Sequence, residues 1–409
     1  MIELSRQVAL LPGVPVRLAH RPLVPFALQL PPPRVLTRPR PCARAFCDDG
    51  LTSRLPGEVA GARYKLRWAL PLDLDHPPEA VVQDGGRIVV YGSGAFRLVD
   101  LEGHELLSVA GLGQSCVVLD AERGLFYLVD SYNRLMARRL SDGGEEFNLS
   151  VALGSAFARP FLARRGQRFL EVGIEQVTRP NPPQPPSLSF IEQLDLPAVP
   201  KLGTTGAVEN LAALTALHIA TTKLVVALHG DQLVFAVPGA LYLSSTDLHP
   251  RVAFDGKFEP QRLSVDELGR IHLVAAVGAG RELWLVTPEG QRLAATPIPK
   301  ELAALVAPPI VGCDHRVYLV GTGGVAAFDA AGKALWKRAL PGVVAGAAVA
   351  LDDVLVVAAG AALLGYDGDG EARPLFATPG AAFVTAPAMS AAGELLVASP
   401  EALVCLQRG

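Results

Sequence analysis

The sequence predicts an all-β protein, because three features recur along its 409 residues. Short apolar runs rich in Val and Leu alternate with glycine turns, as in antiparallel strands joined by hairpins. A unit of three such runs repeats at spacings of roughly 37 to 55 residues, which brackets the period of propeller blades. The two ends of the chain carry complementary parts of one unit. Together these features predict a single β-propeller of four-stranded antiparallel blades, closed by an N-terminal strand.

The repeat is clearest at residues 316–340, which read RVYLVGTGGVAAFDAAGKALWKRAL. Two β-rich runs meet at a glycine turn, and a third run is centred on Trp336. Asp329 can accept a hydrogen bond from the backbone two residues on, and Gly332 can adopt the left-handed conformation that ends such a turn. This unit therefore predicts three consecutive strands of a meander.

The same pattern recurs elsewhere, and it sets the number of blades. An apolar run, a turn with glycine and a second apolar run appear at 96–107, 135–147, 283–293 and 363–376. The run before each unit predicts a second strand, and eight such runs are found, at 87–92, 125–130, 168–173, 223–228, 270–275, 316–321, 354–358 and 394–398. Eight second strands predict eight blades. Seven remain possible, because residues 197–222 could form a short helix or a buried strand.

Closure of the ring is predicted from the chain ends. The last unit, 393–409, supplies two strands and stops before its outer strand. Near the front, the run around Trp68 has no preceding strands of its own, and it matches the run around Trp336. Because an unpaired strand edge is costly, we expect the segment around Trp68 to pair beside Val404 and complete the last blade.

The spacing of residues 317–336 resembles the repeat of quinoprotein-like propellers. That group includes pyrroloquinoline-quinone alcohol dehydrogenases and outer-membrane assembly lipoproteins. The resemblance implies a propeller over residues 62–409. A resemblance to the enzymes of this group would imply a pair of adjacent cysteines and a Trp in nearly every blade. This chain has no adjacent cysteines and three Trp, at 68, 284 and 336. We therefore expect no cofactor. The chain is also similar to the propeller component of bacterial ternary systems with a MoxR-type ATPase and a von Willebrand A protein.

Composition narrows the class of partner and the compartment. Half of the residues are hydrophobic and 19% are charged, and the formal net charge is −3. This balance predicts no nucleic-acid or membrane partner for the chain as a whole. The five cysteines are scattered, no secretory signal is evident and no apolar run reaches the ~18 residues that span a bilayer. We expect a cytoplasmic bacterial protein that is monomeric by itself.

Two segments depart from the repeat. Residues 1–61 hold ten Pro and eight Arg against four acidic residues, and they predict an arm packed on or extending from the propeller. A Pro-rich loop at 178–187 interrupts one blade between its second and third strands. Arginine is favoured at interfaces, so the predicted partner-binding residues are Arg34, Arg38, Arg40 and Arg179. A strap or a loop without a binding role is the alternative.

No residue pattern predicts catalysis. Asp73, Asp75 and His76 form a small group with no further ligand, which favours a surface connection over a metal site. The sequence therefore predicts no catalytic, cofactor-binding or metal-binding residue. Structural roles are expected for Trp68, Trp284, Trp336, Asp329 and Gly332, with Trp284 and Trp336 at matching blade positions or close to them.

The main functional hypothesis is a non-enzymatic scaffold or adaptor in a multi-protein bacterial system. Its partner is expected to be a protein, with an AAA+ ATPase or a von Willebrand A protein as candidates. The alternative is a ligand- or cofactor-binding propeller that uses its central channel. That alternative covers quinone- or metal-dependent oxidoreductases and lyases.

Overall fold

The computed structural model describes residues 7–10 and 53–409, apart from short gaps at 75, 93–94, 111–115, 130–133, 151–160, 166–167, 176–187, 196–212, 220, 222, 246–247 and 303. Within these ranges the chain forms eight antiparallel sheets, seven with four strands and one with a fifth strand added in parallel. This is the predicted propeller with eight blades.

The strands follow one another in groups of four, and each group makes one blade. Two strands precede the first group, β1 (Gln7–Leu10) and β2 (Tyr64–Pro71). Blade 1 comprises β3 (Pro78–Asp84), β4 (Arg87–Gly92), β5 (Ala95–Asp100) and β6 (Glu105–Ala110). Blade 2 comprises β7 (Cys116–Asp120), β8 (Leu125–Val129), β9 (Arg134–Arg139) and β10 (Glu145–Ser150). Blade 3 comprises β11 (Phe161–Arg165), β12 (Arg168–Glu175), β13 (Leu188–Asp195) and β14 (Ala213–Ile219), with β1 parallel to β14.

The second half of the ring continues the same order. Blade 4 comprises β15 (Val225–His229), β16 (Gln232–Val237), β17 (Ala240–Ser245) and β18 (Arg251–Asp255). Blade 5 comprises β19 (Glu259–Val265), β20 (Ile271–Val277), β21 (Gly280–Val286) and β22 (Arg292–Pro297), followed by a 3-10 helix at Lys300–Leu302. Blade 6 comprises β23 (Ile310–Val311), β24 (Val317–Gly321), β25 (Gly324–Phe328) and β26 (Ala334–Ala339). Blade 7 comprises β27 (Val344–Val349), β28 (Leu355–Ala359), β29 (Ala362–Tyr366) and β30 (Ala372–Ala377). Blade 8 comprises β31 (Ala388–Met389), β32 (Leu395–Ala398), β33 (Ala402–Arg408) and β2.

The first strand of each blade lies toward the ring axis and the fourth lies at the rim. First strands contact first strands of neighbouring blades, including β3 with β7 and β3 with β31. The second strands β24, β28 and β32 are buried along their whole length, whereas the fourth strands β6 and β26 are mostly exposed. A strand buried on both faces can be apolar at every position, which is why the second strands are so visible in the sequence.

The ring closes as predicted. β2 pairs antiparallel with β33, with Trp68 opposite Cys405 and Ala69 opposite Val404. A strand from near the N-terminus thus supplies the outer edge of the blade that contains the C-terminus. The free edge of β33 is thereby covered.

Seven of the eight predicted second strands occupy that position, and one prediction was wrong. Residues 223–228 overlap β15, which is the first strand of blade 4, and the second strand is β16. The fourth strand of blade 3, β14, was not recognised as a strand. The apolar run that follows it was therefore assigned to the second strand of blade 4, although it forms the first. β14 also resolves the ambiguous region, because residues 213–219 form a strand instead of a helix.

Consecutive antiparallel strands give the ring two distinct faces. The turns that join strands 1 to 2 and strands 3 to 4 lie on one face, which we call the turn face. The turns that join strands 2 to 3 and the connections between blades lie on the other, which we call the crossing face. Among the described residues no helix has the length and apolar character of a membrane span.

Neighbouring blades meet through a repeated contact that we call the blade joint. A fourth-strand residue of one blade packs against a left-handed glycine in the strand 3–4 turn of the next blade. A Cβ added to the glycine would meet the partner side chain in five joints: Trp68 with Gly103, Leu107 with Gly143, Ala253 with Gly290, Ala294 with Gly332, and Trp336 with Gly370. Glycine is needed for both the conformation and the space.

The Gly370 joint gives a stability prediction with a matched control. Gly370 has a φ of +78°, and an added Cβ would lie 2.6 Å from Cδ2 of Trp336. Gly393 has a φ of +82°, and an added Cβ there would have no atom within 4 Å. We expect Gly393→Ala to cost about 1–2 kcal/mol from backbone strain alone, and Gly370→Ala to cost clearly more. Urea unfolding of both variants checks this, and equal losses would mean that packing in the joint contributes nothing.

Candidate functional site

A groove on the crossing face lies between blades 5 and 6, and we call it the blade 5–6 groove. It encloses about 830 Å³ and is open to solvent. Its lining comes from β19, from the strand 2–3 turn of blade 5 and from the connection to blade 6, namely Gln261, Arg262, Ala279, Gly280, Arg281, Pro297, Ile298, Lys300, Ala304 and Leu305. Three of these side chains are cationic and none is acidic.

Local sequence features shape the walls of this groove. A β-bulge between Pro260 and Arg262 shifts the register at the start of β19. On the other wall, the connection between the blades approaches blade 6 closely, since a Cβ at Gly321 would lie 1.8 Å from the carbonyl oxygen of Leu302. Leu302 and Leu305 are buried and anchor this connection. The walls are therefore fixed by packing.

The carboxylates next to the groove are engaged elsewhere. Glu282 accepts a hydrogen bond from the Trp284 indole at 2.7 Å. Glu301 pairs with Lys337 at 3.2 Å, and Glu259 pairs with Lys223 at 2.7 Å. These pairs leave the groove walls without a negative side chain.

The three cations differ in how they are held. Arg262 donates to the carbonyl oxygens of Leu305 and Gln261, both at 3.2 Å. Among the described residues, no carboxylate pairs with Arg281 or Lys300. Arg281 and Lys300 are therefore two groove cations that pair with no carboxylate of the described residues. The groove can bind an anionic group by charge-assisted hydrogen bonds.

The turn face carries a buried ionic cluster of a different kind. Asp266 is fully buried, and its Oδ2 accepts hydrogen bonds from Arg270 Nε at 2.7 Å and His272 Nε2 at 3.2 Å. Its Oδ1 accepts from the backbone N–H groups of Leu268 and Arg270 at 3.0 and 2.9 Å. Burial opposes ionisation of this carboxyl, but the bonds and charges of His272 and Arg270 prevail and hold its pKa well below the usual value.

Arg270 extends this cluster toward the neighbouring blade. Its guanidinium lies 3.5 Å from the carbonyl oxygen of Ala330, in the strand 3–4 turn of blade 6. Arg87, Gln232 and Arg316 occupy the same place at the start of a second strand, and they donate to the corresponding turns of the next blades at 2.9, 3.1 and 2.7 Å. This repetition indicates a structural role for Arg270.

A segment of the predicted arm crosses the turn-face end of the channel. Residues 53–63, which we call the strap, begin at the inner edge of blade 7, where Leu55 N–H donates to the Val349 carbonyl at 2.7 Å, and continue outward to β30, where Arg373 donates to the Val59 carbonyl at 2.9 Å. Arg54 donates to the carbonyls of Val311 and Gly312 in blade 6, both at 2.7 Å. It also forms an ion pair with Glu267 of blade 5. The strap therefore ties three blades together.

His315 lies beside the strap in an unusual conformation. Its φ is +64°, at a turn position where other blades have glycine, and Nδ1 lies 3.4 Å from Oε1 of Glu267. Burial and the nearby charge of Arg270 lower its pKa, although Glu267 and Asp266 act in the opposite direction. The imidazole is thus held neutral near pH 7. Among the described residues, no group of three His, Cys, Asp or Glu is placed to hold a metal ion.

The residues predicted from sequence fall in three places. Arg34, Arg38, Arg40 and Arg179 lie outside the described residues. Trp68 and Trp336 occupy equivalent blade joints, where each indole donates to a carbonyl of the next blade at 2.9 Å. Asp329 and Gly332 form the strand 3–4 turn of blade 6, in which Asp329 Oδ1 accepts from Ala331 N–H at 3.0 Å and Gly332 has a φ of +83°.

The predicted match between the blade positions of Trp284 and Trp336 was wrong. It lies on the third strand of its blade, whereas Trp336 lies on a fourth strand. Its ring packs against Phe254 and Phe258, with centroids 5.2 and 4.8 Å away, and Arg292 lies over it at 4.7 Å. A Trp in either strand can fill the space between blades, so spacing from the turn was a poor guide.

Sequence reasoning did not identify the groove cations. Arg262, Arg281 and Lys300 lie on three separate segments, and no motif joins them. Their convergence depends on the path of the connection between blades 5 and 6.

Comparisons with known proteins place this geometry among propellers. A PQQ-repeat family model described as outer membrane protein assembly factor BamB matches residues 269–402, a range that includes most of the groove lining but not Gln261 or Arg262. No curated protein sequence matches the chain. None of these findings concerns a MoxR-type ATPase or a von Willebrand A protein.

Solved structures with similar folds cover most of the chain. BamB from Moraxella catarrhalis is 13% identical, covering 84% of this chain and 99% of its own, with a TM-score of 0.57. The Dos1 propeller is 11% identical, covering 86% and 97%, with a TM-score of 0.59. Sqt1 from Saccharomyces cerevisiae is 10% identical, covering 85% and 99%, with a TM-score of 0.62. At these identities the likeness shows the fold alone.

Proposed function

We propose that this PQQ-like-repeat β-propeller is a non-enzymatic scaffold that binds a partner protein at the blade 5–6 groove. The observation that carries the proposal is the groove itself, which is open and joins cationic side chains to apolar walls. Arginine beside apolar surface is typical of protein-binding sites. Its lining includes no Ser, Thr, Cys, His, Tyr or acidic residue.

The partner and compartment are part of the same proposal. The match to an assembly factor supports a role in a multi-protein system, with an AAA+ ATPase or a von Willebrand A protein as candidate partners. Cys313 and Cys405 are free thiols, which supports a reducing compartment such as the cytoplasm. The predicted arm arginines Arg34, Arg38 and Arg40, with Arg179, would add to the interface.

The strap weighs against a function in the central channel. Ser53 and Leu55 are almost completely buried where the strap lies along the inner edge of blade 7. The protein therefore fills part of the turn-face end with its own chain. A channel ligand would have to bind beyond this segment.

Affinity capture from the native host, combined with amine crosslinking, tests the proposal. We expect tagged full-length protein to recover a stoichiometric partner that crosslinks to Lys300 in the groove. The double variant Arg281→Glu/Lys300→Glu should lose that partner. Lys333→Glu, an exposed change on the turn face, should retain it. Recovery of no stoichiometric partner, or equal recovery by all three proteins, would contradict the proposal.

A further inference from the structure

We infer that the blade 5–6 groove recognises an extended acidic segment of its partner, one that carries carboxylates and at least one apolar side chain. This inference rests on the proposed function and names the chemistry of its occupant. Arg281 and Lys300 supply the charge that an occupant would meet, and the apolar wall residues supply the contact surface.

Charge is the first argument for an acidic occupant. The chain carries a net charge of −3, yet this groove gathers three cations and no acid among its lining residues. Glu282, Glu301 and Glu259, which are the nearest acids in the sequence, are held by other partners. A concave site of one sign focuses its field and attracts ligands of the opposite charge.

Donor geometry is the second argument. Arg262 is already oriented by its bonds to the carbonyls of Leu305 and Gln261. An arginine fork binds a carboxylate through two parallel hydrogen bonds, whereas a lysine acts as a point charge. Arg281 lies beside the strand 2–3 turn, where its carbonyl accepts a hydrogen bond from Ile298 N–H at 2.8 Å, and Lys300 follows Ile298 two residues later on the connection between blades. The arrangement suits successive carboxylates along an extended chain.

The rest of the lining favours a peptide over other anions. Pro297 and Ala304 expose apolar surface that a free phosphate could not cover, and the largely buried Ile298 and Leu305 lie beside them in the lining. The lining has no aromatic side chain, so it offers no platform on which a base could stack. A volume of about 830 Å³ accommodates several residues of an extended peptide.

Gly280 provides a way to block the groove without changing its charge. It lies at the groove wall, and an added Cβ would meet only the Val277 carbonyl oxygen, at 3.8 Å. This glycine is not in the left-handed region, so a larger residue introduces no backbone strain there. Gly280→Leu should fill the groove in a folded protein.

The test measures fluorescence anisotropy of a labelled peptide, EELEELEE, against the full-length protein at low salt. We expect binding that weakens as salt rises, with a neutral QQLQQLQQ peptide binding about tenfold more weakly or worse. Arg281→Glu/Lys300→Glu and Gly280→Leu should each reduce affinity about tenfold or more, whereas Lys333→Glu should not. The double charge reversal should also gain binding to KKLKKLKK. Thermal unfolding confirms that each variant is folded.

Three results would overturn the inference. One is absence of EELEELEE binding, and another is equal binding to the wild-type and Gly280→Leu proteins. The third is displacement of the peptide by inorganic phosphate or by a dT20 oligonucleotide at lower concentration than by unlabelled peptide, since the site would then select another anion.

If host capture recovers a groove-dependent partner but the acidic peptide does not bind, the scaffold function stands and this inference fails. If the peptide binds and host capture recovers no partner, the scaffold function fails and the groove chemistry stands.

Discussion

Replacing Asp266 by alanine is expected to destabilise the propeller by about 3–5 kcal/mol, the cost of leaving a buried charge without its partner. Arg270 and His272 are both buried and both bond to this carboxylate. Removing the carboxylate would also leave the N–H groups of Leu268 and Arg270 without their acceptor. Urea unfolding followed by circular dichroism measures the loss.

Asp329→Ala is the matched control for this change. Asp329 Oδ1 caps its turn in the same way, by accepting from the N–H groups of Ala331 and Lys333 at 3.0 and 2.8 Å. It bonds to no buried cation in the described structure, so its removal should cost about 1 kcal/mol. Similar losses for both variants would mean that the buried ion pairs add nothing to turn capping.

Acid titration measures how much of the stability lost in Asp266→Ala comes from the charge of the carboxylate. Because its folded pKa lies below the unfolded value of ~4, the carboxylate contributes fully above that pH. The contribution is lost as pH falls from the unfolded pKa toward the lower folded one. We therefore expect the free energy of unfolding to fall more steeply below pH 4 for the wild type than for Asp266→Ala. Parallel curves would show that Asp266 is not ionised in the folded protein.

Most of the fold could be predicted from sequence because each blade repeats the same local chemistry. The Asp329 turn and its equivalents mark where strands 3 and 4 meet, and the fully buried second strands stand out as apolar runs. The match between the runs around Trp68 and Trp336 predicted the closure, since both residues fill the same blade joint. Blade 4 was misassigned because residues 213–219 fitted a helix or a strand equally well, so the next apolar run was taken as a second strand.

The candidate site could not be predicted in the same way. Arg262, Arg281 and Lys300 come together through a bulge, a turn and an inter-blade connection, and none of these has a sequence pattern that encodes charge. Arg54 was one arginine among eight in a Pro-rich arm, and its role depends on the path of the strap across blades 5 to 7. Periodicity reports which residues are buried within a repeat. Sites between repeats depend on connections that differ from one blade to the next.

Trp68→Ala is expected to destabilise the protein by about 3 kcal/mol and to open the ring at its seam. The indole packs against Gly103 of blade 1 and donates to the Leu101 carbonyl at 2.9 Å. Loss of a partly buried Trp removes aromatic packing and leaves that carbonyl without its bond. Trp336→Ala removes the same two interactions, with Gly370 and the Gly368 carbonyl, from an interior joint.

The two variants should differ in where the structure opens. β26 is joined to its blade by the Asp329 turn, whereas β2 has no hairpin connection to β33 and is held to blade 8 by strand pairing and by the ion pair of Arg67 with Glu394. Once Trp68 no longer anchors β2 to blade 1, local separation should expose the edge of β33. Hydrogen exchange measured by mass spectrometry should therefore accelerate in residues 395–409 of Trp68→Ala and remain slow there in Trp336→Ala. Equal exchange in both variants would show that the seam is no weaker than an interior joint, so that the contacts of β2 with blade 8 keep the ring closed without Trp68.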